Sequence, residues 1–402
     1  MALTDHPVLS QLAISHSPVI DAQRASVGTR LTLACWRPEL KPGGAEVLAA
    51  LAEVWSDAAA CKPGAAFAPG TVVLNVVGEG LLHALLAAPA RAPFALEVPA
   101  FLLADTALHA PLRAWHEAGG ELWIKGRGAT EIDADLRGCF RHLLYELPDA
   151  PPPGRGSWSA VAEGAHSIAE LDVAVRQGAV AVACWPLTQP APAPGARQKV
   201  APEMQVVLEL INRVDREEPI ERLDATLKGD PSLAFRLLRY MNSPAFGLQV
   251  EISSFRHALM MLGYAKLKRW LALLLASASK DARLKPVMYA AVRRGLVMEE
   301  LARAAGDAEM KSEMFICGIF SLLDTMLGQP MTELLPNVPL PERVRQALGA
   351  EDGPFMPYLN LVRAMEAGAA YELHERADEL MLGAVDLNRA LLAALLAARQ
   401  LD

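Results

Sequence analysis

Through the first 190 residues of this 402-residue chain, short apolar runs alternate with stretches in which apolar residues recur every three or four positions. The runs at 31–36, 71–76, 94–98, 122–124, 142–147 and 179–184 have the length and composition of strands buried on both faces. Between them, 45–58, 79–88, 105–118 and 168–177 carry helical periodicity. Strands separated by helices predict a parallel α/β sheet, and the number of units predicts its closure into a (β/α) barrel. Beyond Pro202 the strand pattern vanishes. Ala- and Leu-rich helices punctuated by Gly, Pro and Asp follow, so the second half is expected to be all helical.

The two patterns meet in a stretch that can enter neither a helix nor a central strand, because residues 186–202 carry five prolines and Gly195. The expected organisation is a barrel over 1–190, a Pro-rich linker over 191–201 and a helical domain over 202–402. A second Pro/Gly segment, 148–156, interrupts the barrel region before its next β-like run and reads as a long surface loop.

Within the helical half, Asp230 can cap a helix whose first residue is Pro231. Leu233, Leu237, Leu238 and Met241 then share one face, with Arg236 and Arg239 on the other. The run Asn242 to Gly247 stops this helix: Ser243 precedes Pro244 and leaves helical dihedrals, and Gly247 frees the chain to turn. Asn242 by itself reads as a turn and capping residue. Asp230-Pro231, Leu237-Leu238, Asn242-Ser243, Phe246-Gly247, Ser253-Ser254, Ala258 and Leu262-Gly263 together resemble the signature of the HDOD family of bacterial signal-transduction domains. That resemblance implies a helical scaffold related to metal-dependent phosphohydrolases but without their His-Asp doublet; Ser321 and Leu322 stand where the doublet would fall.

In the barrel half, Arg30, Asn75, Glu97 and Ala162-Glu163-Gly164-Ala165 follow one another in an order that resembles the EAL domain, a barrel that hydrolyses the bacterial messenger cyclic di-GMP with two metal ions. In that comparison Asn75 and Glu97 match ligand positions, 162–165 matches a family segment, and Arg30 stands at the glutamate of the Glu-Ala-Leu motif. Lys125 and Gly126 replace paired aspartates. Two-metal hydrolysis needs several convergent oxygen ligands. A lysine ammonium about 4 Å from a divalent ion would instead repel it by roughly 8 kcal/mol at an effective dielectric of about 20. The resemblance therefore implies an inactive barrel with no bound metal or cofactor, in which Asn75, Glu97 and Glu163 are residual positions. Taken by themselves these three read as separate strand-end polar residues. The segment 299–367 also resembles the extended C-terminal region of proteins that combine EAL and HDOD domains.

Composition narrows the function classes further. A net charge of −8 disfavours unassisted binding to nucleic acid or anionic lipid. Residues 253–278 have the outline of a helix-turn-helix, but the second helix is apolar around most of its circumference and cannot face base edges. The five cysteines, Cys35, Cys61, Cys139, Cys184 and Cys317, have no metal-ligand spacing and read as reduced thiols. No window has the apolar length of a membrane span, and residues 1–10 lack a secretory signal pattern, so a cytoplasmic location is expected. With no catalytic constellation, function is expected to lie in presented surface: a non-catalytic signalling protein that binds another protein. The expected partner surface is Asn242, Ser243 and Phe246 with the basic helix start Lys266, Lys268 and Arg269. The alternative is a receptor that binds cyclic di-GMP without cutting it.

Overall fold

The structure, a computed structural model, describes residues 6–55, 67, 70–188, 202–219, 222–223, scattered positions between 257 and 275, 281–303, 308–338 and 340–399. The expected linker over 191–201 lies outside these residues. The chain forms two compact units, Met1–Thr188 with Arg363–Leu392, and Gln189–Val362 with Ala393–Asp402.

The first unit is a closed eight-stranded barrel in sequential order: β1 (Leu12–Asp21), β2 (Ser26–Cys35), β3 (Thr71–Val77), β4 (Phe94–Pro99), β5 (Glu121–Lys125), β6 (His142–Glu146), β7 (Ser159–Glu163) and β8 (Ala181–Ala183). Around it lie α1 (Gly44–Ala52), α2 (Glu79–Leu86), α3 (His109–Glu117), α4 (Ala134–Arg137) and α5 (Ile168–Arg176). The sheet departs from the expected all-parallel pattern at β1, which runs antiparallel to both β2 and β8. Four residues, 22–25, join β1 to β2, too few for a crossover, so the pair must be a hairpin. Its turn is held by the Asp21 carboxylate, which accepts the N–H groups of Gln23 and Ala25, both at 2.9 Å. Inside, Val19, Val73, Ala95, Trp123, Leu144, Val161 and Ala181 form one buried cluster, so the barrel is a packed core.

No helix covers the connection from β6 to β7, in agreement with the Pro/Gly loop expected there. Arg137 pins the loop instead. Its guanidinium lies 4.7 Å from the centroid of the Trp158 ring and donates to Thr130 O at 2.8 Å and Gly154 O at 2.7 Å. Trp158 Nε1 donates back to Arg137 O at 3.0 Å.

Residues 363–392, expected within the helical domain, cluster with the barrel instead. Helix α13 (Ala370–Glu379) packs against β1, and the ring of His374 stacks on Trp36 at 4.3 Å. From α14 (Ala384–Arg399), Asn388 reaches the backbone around the start of β1. It donates to Leu9 O and Leu12 O, both at 2.7 Å, and accepts from Ile14 N at 3.2 Å. Leu12 and Ile14 lie on the flank of the strand, where their backbone groups would otherwise be buried without partners.

The described part of the second unit is helical: α6 (Pro202–Asp215), α7 (Lys285–Leu301), α8 (Ala308–Phe320), α9 (Leu323–Leu327), α10 (Met331–Leu334), α11 (Glu342–Arg345) and most of α12 (Met356–Ala367). Helices α7 and α8 touch backbone to backbone through glycines. A Cβ on Gly318 would lie 2.6 Å from Gly295 N and from Arg294 C, well inside van der Waals contact.

Two outcomes are expected. Asn388→Ala strips three buried backbone groups of their partner and should lower unfolding stability by about 3 kcal/mol, measured by urea denaturation; a loss under about 0.5 kcal/mol would show that water takes over the role. Gly318→Ala should cost about 1–3 kcal/mol through the forced separation of α7 and α8, whereas an exposed Gly→Ala change with ordinary dihedrals stabilises.

Candidate functional site at the barrel mouth

Alternate residues of a strand point to the same side. The inward series that supplies Val73, Ala95, Trp123 and Val161 to the core therefore continues, two residues on, into Asn75, Glu97, Lys125 and Glu163. These four side chains gather where β3, β4, β5 and β7 end. Arg30 joins them from β2, in register with Val73, and Thr32 stands in register with Asn75.

Arg30 is the centre of the group. Its Nε and Nη2 donate to Glu97 Oε1 and Oε2 at 2.6 and 2.7 Å, a two-pronged pairing of fork and carboxylate. The same Nη2 lies 2.8 Å from Glu163 Oε2. Lys125 Nζ sits 3.2 Å from Glu163 Oε1, 3.9 Å from Glu97 Oε2 and 3.5 Å from Asn75 Oδ1. Asn75 Nδ2 completes the chain by donating to Thr32 Oγ1 at 3.1 Å. Glu97 is 1% exposed, so its charge is satisfied almost wholly by these two cations. Burial acts to lower the Arg30 pKa, but the charge of Glu97 and its hydrogen bonds, followed by those of Glu163, outweigh it and raise the pKa above the ordinary arginine value.

Two cations face two carboxylates, and the cluster is electrically balanced without any ion. A pair of divalent metals does not fit these residues. The oxygens of Glu97 and Glu163 are committed to Arg30 and Lys125, and both side chains would present positive charge to an incoming ion. Among the described residues, no group of three or more His, Cys, Asp or Glu is placed to hold a metal ion.

The three residual positions, separate in the sequence, are thus brought together. Arg30 and Lys125, read from sequence as cations that would repel a metal ion, are the carboxylates' partners. Thr32 was not foreseen, although its place two residues beyond Arg30 on the same strand face signals it.

Beside the mouth, a cavity of about 720 Å³ opens between residues 126–130 and 145–152. Arg127 on its rim pairs with Asp149 at 3.3 Å. In the helical unit, Ser321 Oγ donates to Gly318 O at 2.7 Å and accepts from Arg294 Nη1 at 3.0 Å, while Leu322 is buried. Of the expected partner surface, Lys268 pairs with Asp215. Asn242, Ser243, Phe246, Lys266 and Arg269 lie outside the described residues.

Residues 201–332 match the HDOD domain family. The C-terminal region of this chain carries an HDOD domain. Two curated proteins are also similar. The uncharacterized protein YuxH of Bacillus subtilis (strain 168) is 32% identical over 166 residues, 40% of each chain. The cyclic di-GMP phosphodiesterase CdgJ of Vibrio cholerae is 28% identical over 196 residues, 48% of this chain and 45% of that one. The matched stretches thus span less than half the length of either relative. Among solved structures, a PaMucR phosphodiesterase in complex with c-di-GMP covers 46% of this chain and 98% of its own, at 16% identity and a TM-score of 0.30. A likeness of that degree carries no argument about fold or function.

Arg30→Met would leave Glu97 buried beside a single, more distant cation. Urea denaturation at neutral pH should show a loss of about 3–5 kcal/mol, and adding Glu97→Leu should restore much of it. A single variant within about 1 kcal/mol of the parent would mean that the pair is replaceable by water.

Proposed function

We propose that this chain is a regulatory protein of bacterial signal transduction that acts by binding another protein, and that its barrel is a degenerate EAL domain without phosphodiesterase activity. The observation that carries the reading is the closed charge cluster at the barrel mouth. Arg30 and Lys125 hold Glu97, at a position that resembles a metal ligand of the EAL domain, and Glu163, in the segment that matches that family. Hydrolysis by two metals needs those oxygens free to hold ions and to orient an attacking water. The HDOD match and the similarity to CdgJ support a signalling role. In this reading the protein acts in the cytoplasm; among the described residues no single helix is long and apolar enough to cross a membrane.

With no reacting group assigned, the function rests on presented surface. The segment that carries Asn242, Ser243 and Phe246, together with Lys266, Lys268 and Arg269, is the proposed partner surface of the helical domain. The alternative, a non-hydrolysing cyclic di-GMP receptor, would use the mouth and the adjoining cavity. Against it, Arg30 and Lys125, the cations of the mouth itself, are already engaged by carboxylates.

Incubation of the full chain with cyclic di-GMP and excess Mg²⁺ or Mn²⁺ should leave the dinucleotide intact by chromatography. Turnover that disappears in Glu97→Ala would overturn the proposal. Saturable binding of the dinucleotide without turnover, measured by calorimetry, would favour the receptor reading.

A further inference from the structure

Helix α13 is anchored on one side and open on the other. Leu373 and Ala377 are buried, and His374 lies on Trp36. At about 100° per residue, Tyr371, Glu375, Asp378 and Glu379 fall on the side opposite Leu373 and Ala377. All four are exposed, as is Glu372 at the edge of the same face. Just past the helix, Met381 adopts φ 54°, in the left-handed region. Its N–H bonds to Asp378 O at 3.0 Å, and the N–H of Leu382 reaches Ala377 O at 2.9 Å, closing the helix in the turn that usually employs glycine.

Among the described residues, Tyr371 at 83% and Met381 at 93% are the two most exposed large hydrophobic side chains. They stand at opposite ends of one helix, roughly 15 Å apart along its axis. Folding gains little from either. Met381 buries little surface and holds a conformation that disfavours any residue with a Cβ. Such a local departure from the stable choice is expected where a side chain serves something outside the fold.

We propose that this face of α13, with the turn that closes it, is a docking surface for a basic amphipathic helix of a protein partner, with Tyr371 on the face and Met381 in the turn as apolar anchors. The charge of the face names the partner's chemistry. Glu372, Glu375, Asp378 and Glu379 supply four carboxylates. The basic side chains on the same helix are Arg376, which pairs with Glu379 at 2.9 Å, and His374, whose Nε2 lies 3.7 Å from Asp378 Oδ2. Lysine or arginine at helical spacing on the partner would meet Glu372, Glu375 and Glu379 in turn, while apolar side chains between them cover Tyr371 and Met381. Tyrosine and methionine are among the residues enriched at interfaces, and a helix already fixed against the barrel loses little freedom on binding. An anionic membrane or a nucleic acid would be repelled by the same carboxylates.

The proposal rests on the reading of this chain as a protein-binding module. Hydrolysis of cyclic di-GMP would remove that reading and leave the surface to be judged by binding alone. The test uses the full chain and a fluorescein-labelled synthetic peptide of about 18 residues, helical, with leucine on one face and lysine and arginine at its borders. A matched peptide has glutamate in place of every basic residue.

By fluorescence anisotropy at low salt, the basic peptide should bind and the acidic one should not. Tyr371→Ala and Met381→Gly should each weaken binding by at least about fivefold, and the double variant Glu375→Lys/Asp378→Lys should abolish it. Met381→Gly should at the same time raise the melting temperature, because glycine relieves the left-handed turn; a purely structural methionine would lower it. The proposal is overturned by unchanged affinity in these variants, by equal binding of the acidic peptide, or by binding to anionic phosphatidylglycerol vesicles that Tyr371→Ala removes. Self-association of the chain that Tyr371→Ala abolishes in sedimentation would also overturn it, by making a second copy the occupant.

Discussion

A carboxylate that is almost wholly buried must be given a counter-charge, and at Glu97 that requirement is met by Arg30. The pairing explains much of what surrounds it. Arg30 can reach Glu97 because β2 and β4 flank β3 and all three present this level of the barrel inward. Glu163 and Lys125 then extend the same alternation of sign across the mouth to Asn75 and Thr32. A site that relied on metal ions would depend on solution to supply its positive charge. Here the chain supplies it, and the mouth is complete as folded.

The return of the chain to the barrel follows the same rule of satisfied polar groups. Three backbone groups at the start of β1 find their partner in one asparagine more than 370 residues away. That attachment places α13 on the barrel unit, with one side covered and an acidic, partly apolar side presented outward. In both regions polar groups are held by partners within the chain: the mouth carboxylates by Arg30 and Lys125, the backbone at the start of β1 by Asn388.

Much of this fold was legible because its signals are local. Apolar runs of strand length located β2 to β6 and β8, and Ser167 with Glu170 forms the capping box that starts the helix recognised at 168–177. The antiparallel β1 follows from the four-residue link at 22–25, a constraint of length that apolar pattern alone does not carry. The attachment of 363–392 to the barrel could not be read. Asn388 in an amphipathic helix looks like any other polar position until tertiary packing places Leu9 and Leu12 beside it. At the mouth, residue types were legible and their partnership was not: the sequence shows that Arg30 and Lys125 are cations, but only the register of β2 to β7 shows which carboxylates they neutralise.

The central claim, that the mouth's negative charge is balanced from within the chain, is tested most directly by the thermal stability of the full protein in excess chelator and in excess Mn²⁺. A ligand that binds the folded state raises its melting temperature by mass action, and a site already filled by Arg30 and Lys125 offers Mn²⁺ nothing to bind. The account predicts the same melting temperature in both solutions. A rise in Mn²⁺ that is lost in Glu97→Ala would contradict it.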